Sequence, residues 1–258
     1  MHDYWLRQDK EPLFPDLLWS RPENKRAAGK LLIIGGNLHG FNGVASSYTA
    51  ALKSGAGSIR LVLPDALYKL LSIVIPDAVF APSTSSGSFS QEAYGLILEN
   101  LAWADAVLFA GEFGKNSETT ILLEKLFSKL TIPSVLAGDT IDNLLYTPET
   151  IRKTNTLISC NFNQLQKLAI KVKYPRAFTS SMSVLNFASQ LHEFSESQGF
   201  NVLTYFENKT FISVKNRLSS QSEILNKQES AANAAVWLMQ NPDKMFEAVT
   251  TSQLENIY

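Results

Sequence analysis

A glycine-rich segment in the first fifth of the chain has the composition of an anion-binding loop. It reads GGNLHGFNG over residues 35–43, between an apolar run at 30–34 and a helix-like stretch at 44–54. Glycines let backbone N–H groups approach an anion, and the N-terminus of the following helix adds a favourable dipole. The spacing is not G-x-G-x-x-G, and no Gly-Lys-Ser/Thr of a P-loop follows. The segment is predicted either to contact a ligand or to form a plain tight turn.

Polar side chains also follow two later apolar segments. Asp139 comes after the segment 133–137, and Gln164 comes shortly after the segment 156–159. Asp139 is predicted to be either a carboxylate satisfied by its own loop or helix N-cap, or an acid that faces a ligand or magnesium. Gln164 either lies in the first turn of a helix or contacts a ligand.

The chain contains one cysteine, Cys160, so it cannot form an internal disulfide or a cysteine zinc cluster. A reducing compartment is therefore favoured, and a cytoplasmic location is expected. We predict that Cys160 is a small buried hydrophobe rather than a nucleophile. Neither His39 nor His192 is an obvious base partner for it, and no flanking cation suggests an activated thiol.

Composition excludes several classes of protein. The 258 residues are 45% hydrophobic and 18% charged, which excludes a disordered chain. Because 23 Lys and Arg balance 24 Asp and Glu, no nucleic-acid partner is expected. Charged residues interrupt the first eleven positions, and no apolar run approaches the roughly 18–20 residues that span a bilayer, so no signal peptide and no membrane contact are expected.

The order of elements predicts how these residues are positioned. Apolar strand-like runs at 30–34, 58–63, 105–109, 133–137 and 156–159 alternate with helix-like stretches, and two more strand-like runs at 202–205 and 210–214 precede a helical tail from about 229. This alternation predicts a three-layer α/β/α domain with a mostly parallel sheet, in which ligands bind beyond the carboxyl ends of the strands. One domain is expected over 1–258, with 1–24 as an extension packed on it. The segment 82–88 is either a simple connection or a mobile lid.

Several short motifs recur in order between residues 25 and 80. They are Lys25-Arg26, Gly29-Lys30, Gly35-Gly36-Asn37, Phe41-Asn42-Gly43-Val44, Gly55-Ala56-Gly57 and Pro76-Asp77. This series resembles the opening of the ADP/ATP-dependent NAD(P)H-hydrate dehydratases, which belong to the ribokinase-like superfamily. The resemblance implies a ribokinase-like fold. Val44 replaces an alanine that in the family lies against the substrate.

The later motifs of the family are altered in this chain. The family's Gly-Pro-Gly-Leu-Gly corresponds to residues 110–114, where Gly114 is kept in register and Glu112 places a carboxylate where close backbone approach to a ligand is expected. Of the two acids in Asp-Ala-Asp-Ala-Leu, only Asp139 survives. The family's Thr-Pro-His-x-Gly-Glu becomes residues 159–164, so Asn161 replaces the histidine and Gln164 replaces the glutamate. These replacements keep hydrogen-bonding groups and remove the titratable ones.

The Gly-x-Gly-Asp turn of the family is missing. Of the 13 glycines, 12 lie at or before Gly138, and residues 215–230 contain none. In the family the backbone amides of that turn form an anion hole, and its aspartate acts as a base or contacts the substrate. Glu223 and Glu229 are the nearby acids, and we expect both to be solvated. The segment after Val214 also looks too short to hold the helix that follows the motif in the family.

The resemblance leaves three hypotheses open. The family repairs hydrated NADH or NADPH and uses ATP or ADP, with magnesium, to drive the loss of water. In the first, this chain is a divergent member that binds a nucleotide or an NAD(P)H-type ligand with little or no family activity. In the second, it is an active dehydratase whose missing groups come from another subunit or from residues such as Asp139 and Glu112. In the third, it is a scaffold without catalysis. Homo-oligomers are implied by the family. No catalytic or metal-binding residue is assigned. The candidate substrate-binding residues are Gly36, Asn37, Asn42, Gly43, Val44, Gly114, Asp139, Asn161 and Gln164.

Overall fold

A β-sheet forms the middle layer of the molecule in the computed structural model, which describes residues 4–222 and 225–254. Ten strands lie within those residues. They are β1 (Trp5–Gln8), β2 (Lys30–Gly35), β3 (Ser58–Pro64), β4 (Val79–Ala81), β5 (Ala106–Gly111), β6 (Ser134–Leu136), β7 (Thr156–Cys160), β8 (Asn201–Phe206), β9 (Lys209–Val214) and β10 (Arg217–Gln221). The central strands are apolar along their whole length because both faces of a parallel sheet are covered.

The strand order across the sheet is β1-β10-β9-β8-β7-β6-β5-β2-β3-β4. Every strand pair is parallel except β8 with β9 and β9 with β10, so within the described residues only β9 runs against the others. The carboxyl ends of β2, β5, β6, β7 and β8 therefore lie along one edge. That edge carries the predicted site residues.

Helices cover both faces of the sheet. In the described part of the chain they are α1 (Asp16–Trp19), α2 (Asn42–Lys53), α3 (Tyr68–Leu71), α4 (Tyr94–Trp103), α5 (Ser117–Lys129), α6 (Thr140–Leu144), α7 (Phe162–Lys171), α8 (Val184–Gln198), α9 (Lys227–Gln240) and α10 (Met245–Thr251). Successive residues of β2 show how the layers form. Leu31 and Ile33 pack with α2 and α9, whereas Leu32 and Ile34 pack with α4 and α5. The three-layer, mostly parallel α/β architecture is thus confirmed.

The N-terminal residues add a strand to the edge of the sheet. β1 pairs in parallel with β10, and the Gln8 side-chain amide donates to Gln221 Oε1 at 2.9 Å and to the backbone oxygen of Thr250 at 2.6 Å. At the start of this strand, the Tyr4 ring stacks on His192 of α8 with their centroids 3.9 Å apart. Buried amides therefore tie residues near both ends of the chain together.

Three strands, β1, β4 and β10, lie outside the strand-like runs predicted from the sequence. β1 and β10 carry polar residues such as Gln8, Ser219 and Gln221, which are buried because they hydrogen-bond one another and α10, so they lack an apolar signal. The described residues between Val214 and α9, which is the helical tail predicted from about 229, hold no helix. A two-residue turn, five residues of β10 and a brief connection lead directly into α9. Glu223 lies outside the described residues.

None of the helices in the described part of the chain has the length and apolar character that a bilayer crossing requires.

Candidate functional site

The glycine-rich loop at 35–43 is a tight turn that leads into α2. The backbone N–H of Asn37 donates to the oxygen of Gly40 at 2.8 Å, and Gly36 adopts a φ of 85°, which favours glycine. Helix α2 begins at Asn42 with no acidic residue in its first turn and no side-chain hydrogen bond from its N-cap residue. Its N-terminal N–H groups therefore need an acceptor from elsewhere in the chain.

Glu112 supplies that acceptor. It follows β5 with a φ of 60°, in the left-handed region, and its Oε2 accepts the backbone N–H of Gly43 at 2.7 Å. A Cβ placed on Gly40 or on Gly43 would lie 3.2 Å from this carboxylate. The side-chain amide of Asn37 donates to the backbone oxygen of Glu112 at 2.6 Å. The carboxylate thus lies on the N-terminus of α2, where an anionic ligand would otherwise bind.

Val44 and the segment 82–88 lie on either side of this loop. Val44 is buried below it, where a Cβ on Gly35 would meet Val44 Cγ2 at 3.0 Å. The segment 82–88 makes its own turn, and the oxygen of Gly87 accepts the N–H of Leu38 at 3.0 Å. The segment therefore contacts the glycine loop directly.

Asp139 is used by its own neighbourhood. Its Oδ1 accepts the N–H of Phe113 at 3.0 Å and its Oδ2 accepts the N–H of Gly114 at 2.9 Å. Burial raises the pKa of Asp139, the two backbone hydrogen bonds oppose that rise, and the nearby charge of Asp142 adds to it. The carboxylate does not cap α6. Of the two roles left open, the contacts are those of a satisfied loop carboxylate.

Asn161 and Gln164 cap their own helix, α7. Asn161 Oδ1 accepts the N–H of Gln164 at 2.9 Å, and Gln164 Oε1 accepts the N–H of Asn161 at 3.1 Å, which is a capping box. The amide nitrogen of Gln164 donates to the oxygen of Gly138 and to Asp142 Oδ2, both at 2.7 Å. Lys167 donates to the other oxygen of Asp142 at 2.6 Å. Each polar atom of the Gln164 side chain thus has an intramolecular partner.

A small cavity of about 190 Å³ lies beyond the ends of β5 to β8. Its lining includes Ser159, Cys160, Tyr205 and Lys227, the first residue of α9. Burial raises the pKa of Tyr205 to about 12, although the nearby hydroxyls of Ser230 and Ser159 oppose the rise. Burial likewise raises the pKa of the Cys160 thiol to about 12, so Cys160 is the inert, buried residue that the sequence predicted.

A larger groove of about 950 Å³ opens beside Gly114 and Asp139, between α5, α6 and α7. Its rim includes Lys115, Tyr146 and Lys171. The Tyr146 side chain is 75% exposed, and Lys171 Nζ lies 4.8 Å from the centre of its ring. A groove of this volume is within the roughly 300–1,000 Å³ range of small-molecule sites.

The predicted site residues fall into two groups along the strand ends. Asn37 and Gly43 donate to Glu112, Gly36 donates to the neighbouring oxygen of Gly111, and Asn161 pairs with Gln164. Asp139 lies between the groups, since it holds Gly114 and precedes α6.

Asn42 is exposed and makes no side-chain hydrogen bond to the described residues.

Sequence reasoning assigned no site role to Tyr205, Lys227 or Asp142. Tyr205 lies near the end of β8, and Lys227 and Asp142 lie in the first turns of α9 and α6. Their positions near a strand end or a helix start were the signal that the sequence offered.

No protein-family model matches this sequence. Two curated relatives are bifunctional NAD(P)H-hydrate repair enzymes. The one from Moorella thermoacetica is 26% identical over an alignment of 123 residues that covers 47% of this chain. The one from Dictyoglomus turgidum is 25% identical over an alignment of 186 residues that covers 61% of it. The matched segments span 23% and 36% of those two proteins, so the chain corresponds to well under half of their length.

Solved structures share the fold over nearly the whole chain. A ribokinase-like superfamily protein from Enterococcus faecalis superposes with a TM-score of 0.71 at 15% identity, over 98% of this chain and 86% of that one. The ADP/ATP-dependent NAD(P)H-hydrate dehydratase of Bacillus subtilis, co-crystallised with ATP/Mg²⁺, gives 0.63 at 10% identity over 93% and 85%. The chain therefore has the ribokinase-like fold, and its predicted resemblance to the dehydratases is confirmed at low identity.

Proposed function

We propose that this chain is a divergent NAD(P)H-hydrate dehydratase-like protein that binds a nucleotide or dinucleotide and has lost the dehydratase reaction. One observation carries the proposal. Glu112 and Asp139, the two acids that follow β5 and β6, both accept backbone N–H groups of the chain itself. General acid–base catalysis needs a group within reach of the reacting proton and is typically worth about 10²–10⁴ in rate. Both acids are already engaged by the chain, which supports the proposed loss of that contribution.

Nucleotide binding is supported by the larger groove rather than by the small cavity. Tyr146 offers an aromatic face to a base, and the ammonium groups of Lys115 and Lys171 offer charge to phosphate. The 190 Å³ cavity at the start of α9 is too small for a whole nucleotide by the usual range of site volumes.

A magnesium ion does not fit the acids of this edge. Magnesium takes oxygen ligands in near-octahedral geometry. Both oxygens of Asp139 accept backbone N–H groups, and those of Asp142 accept Gln164 and Lys167. Among the described residues, no group of three or more His, Cys, Asp or Glu is close enough to hold a metal. A magnesium ion that arrives with a nucleotide would therefore be held by its phosphates rather than by Asp139 or Asp142.

Two measurements test the proposal. Purified protein is mixed with hydrated NADH and ATP or ADP, and NADH absorbance is followed; sustained turnover would contradict the loss of activity. Thermal unfolding is then measured with ATP, ADP, AMP and NADPH. A ligand that binds only the folded chain raises the midpoint by mass action. We expect Tyr146→Ala to abolish the shift and Tyr68→Ala, an exposed tyrosine outside the groove, to keep it. No shift with any nucleotide would favour a scaffold.

A second candidate is self-association, because an apolar segment is exposed at α3. Tyr68, Leu70, Ile73 and Val74 all project from it, and Ile73 is 90% exposed. Light scattering on a sizing column tests whether the chain forms a homo-oligomer through this segment. Ile73→Lys is expected to shift an oligomer to the monomer, whereas Ile170→Lys, on α7, is not. A monomeric parent protein would contradict this candidate.

The proposal includes a cytoplasmic location, with which the lone, buried thiol of Cys160 is compatible.

A further inference from the structure

The N-terminus of α2 carries an anion that belongs to the chain itself. Helix α2 runs for 12 residues, which gives it a full dipole, and neither its N-cap side chain nor an acid in its first turn satisfies the exposed N–H groups. The carboxylate of Glu112, 69 residues away in sequence, accepts the N–H of Gly43 at 2.7 Å. A charge-assisted bond of this kind is roughly twice as strong as a neutral one.

The local backbone is built around this carboxylate. Gly40 and Gly43 have no Cβ, and one on either residue would lie 3.2 Å from a carboxylate oxygen of Glu112. Glu112 itself adopts a φ of 60°, a left-handed conformation that is unfavourable for a non-glycine residue. The Asn37 amide holds the backbone of Glu112 in place through its carbonyl oxygen. A strained residue is retained here because its side chain fills a position shaped for a carboxylate.

We propose that Glu112 is an internal ligand that determines the specificity of the glycine loop by keeping carboxylate and phosphate groups out of it. With Glu112 in place, a second anion would meet both a filled hydrogen-bonding position and a like charge. Without it, the same N–H groups and helix dipole would accept an external anion. This inference concerns small anions at the glycine loop, so it is separate from nucleotide binding in the groove and from turnover.

Chemical rescue tests the proposal. Glu112→Gly removes a side chain of the size of propionate and also relieves the left-handed backbone. Thermal unfolding of the variant is measured with propionate, inorganic phosphate and neutral propionamide, at constant ionic strength. Propionate and phosphate are expected to raise the midpoint by about 3–6 °C at about ten times their dissociation constant. Propionamide is expected to have no comparable effect, and the parent protein is expected to respond to none of the three.

Two further variants keep the test decisive. Glu207→Gly is the matched control, because Glu207 is also left-handed, with a φ of 45°, and lies in the exposed turn between β8 and β9. It relieves strain without opening an anion position, so no anion response is expected. Glu112→Asn is used if the glycine variant does not fold, because asparagine tolerates a positive φ and is shorter than glutamate.

The proposal is overturned if neither Glu112 variant responds to propionate or phosphate more than Glu207→Gly does. It is equally overturned if the parent protein responds as strongly as the Glu112 variants. A positive rescue alongside a failed nucleotide shift would leave this inference standing and reject only the proposed nucleotide binding.

Discussion

Replacing Asp139 by asparagine distinguishes a loop carboxylate from an acid kept for a ligand. In the structure both oxygens of Asp139 accept backbone N–H groups, those of Phe113 and Gly114. Asparagine keeps one acceptor oxygen and turns an NH₂ group toward the second N–H. The variant therefore loses one charge-assisted hydrogen bond, each of which is worth about 1.5–3 kcal/mol. It also weakens the other bond by removing the charge.

An opposing effect reduces this loss. Burial and the neighbouring charge of Asp142 raise the pKa of Asp139, so the ionised carboxylate is less favourable in the folded chain than in water. Removing the charge recovers part of that cost. We therefore expect Asp139→Asn to lower the free energy of unfolding by about 2 kcal/mol, and Asp139→Ala, which removes both acceptors, to lower it by about 3–4 kcal/mol.

Urea unfolding followed by circular dichroism measures these changes as a lower midpoint at an unchanged m-value. Asp243→Asn is the matched control. Asp243 is exposed, and a surface substitution of this kind is expected to change stability by less than about 0.5 kcal/mol. An acid kept for a ligand commonly costs stability, so its removal is neutral or stabilising. A variant Asp139→Asn as stable as the parent, or more stable, would refute the structural role.

Three other changes test neighbouring claims. Gln164→Glu introduces the acid that the dehydratase motif has at this position. It replaces a hydrogen-bond donor to Asp142 by a like charge, so the free energy of unfolding in urea is expected to fall by about 2 kcal/mol. An unchanged urea midpoint would contradict the hydrogen bond between Gln164 and Asp142. Burial lowers the pKa of His192 in the folded chain, and the charge of Glu196 opposes that shift. The free energy of unfolding therefore keeps its full value above about pH 6.5 and falls at lower pH, where His192 binds a proton more readily in the unfolded chain than in the folded one. His192→Gln should remove that slope in thermal unfolding and His39→Gln, at an exposed position, should retain it. Cys160, whose pKa is raised to about 12, should react with a thiol reagent only in denaturant, and fast reaction in buffer would refute its burial.

The fold could be predicted wherever strands are buried on both faces. β2, β3, β5 and β7 are apolar runs, so their positions and the alternation with helices followed from the sequence. β10 could not be found this way. Its buried side chains include Ser219, which bonds to Thr250 of α10, and Gln221, which bonds to Gln8 of the neighbouring strand β1. A polar segment is buried only when its partners are present, and those partners lie far away in the chain.

The sequence indicated the edge of the sheet at which the candidate site residues lie, but it did not indicate which of their atoms are in contact. Glycines and polar residues just after the strands lie along one edge because parallel strands end together. The sequence identified Glu112 as an unusual residue in a glycine motif. It could not show that the carboxylate reaches Gly43, since that distance depends on how β2 and β5 pair. Asp139 was left between two roles for the same reason.

The altered positions at this edge have a common physical character. Glu112 satisfies α2, Asp139 satisfies the loop after β5, and Gln164 satisfies α7 and Asp142. Active sites usually keep polar groups unsatisfied or strained until a ligand arrives, and that costs stability. Here the polar groups find partners within the chain. A single substitution toward the dehydratase motif, such as Gln164→Glu, would break one of those contacts without freeing the other acids. If the proposed loss of activity is right, gaining activity would therefore need several coordinated changes.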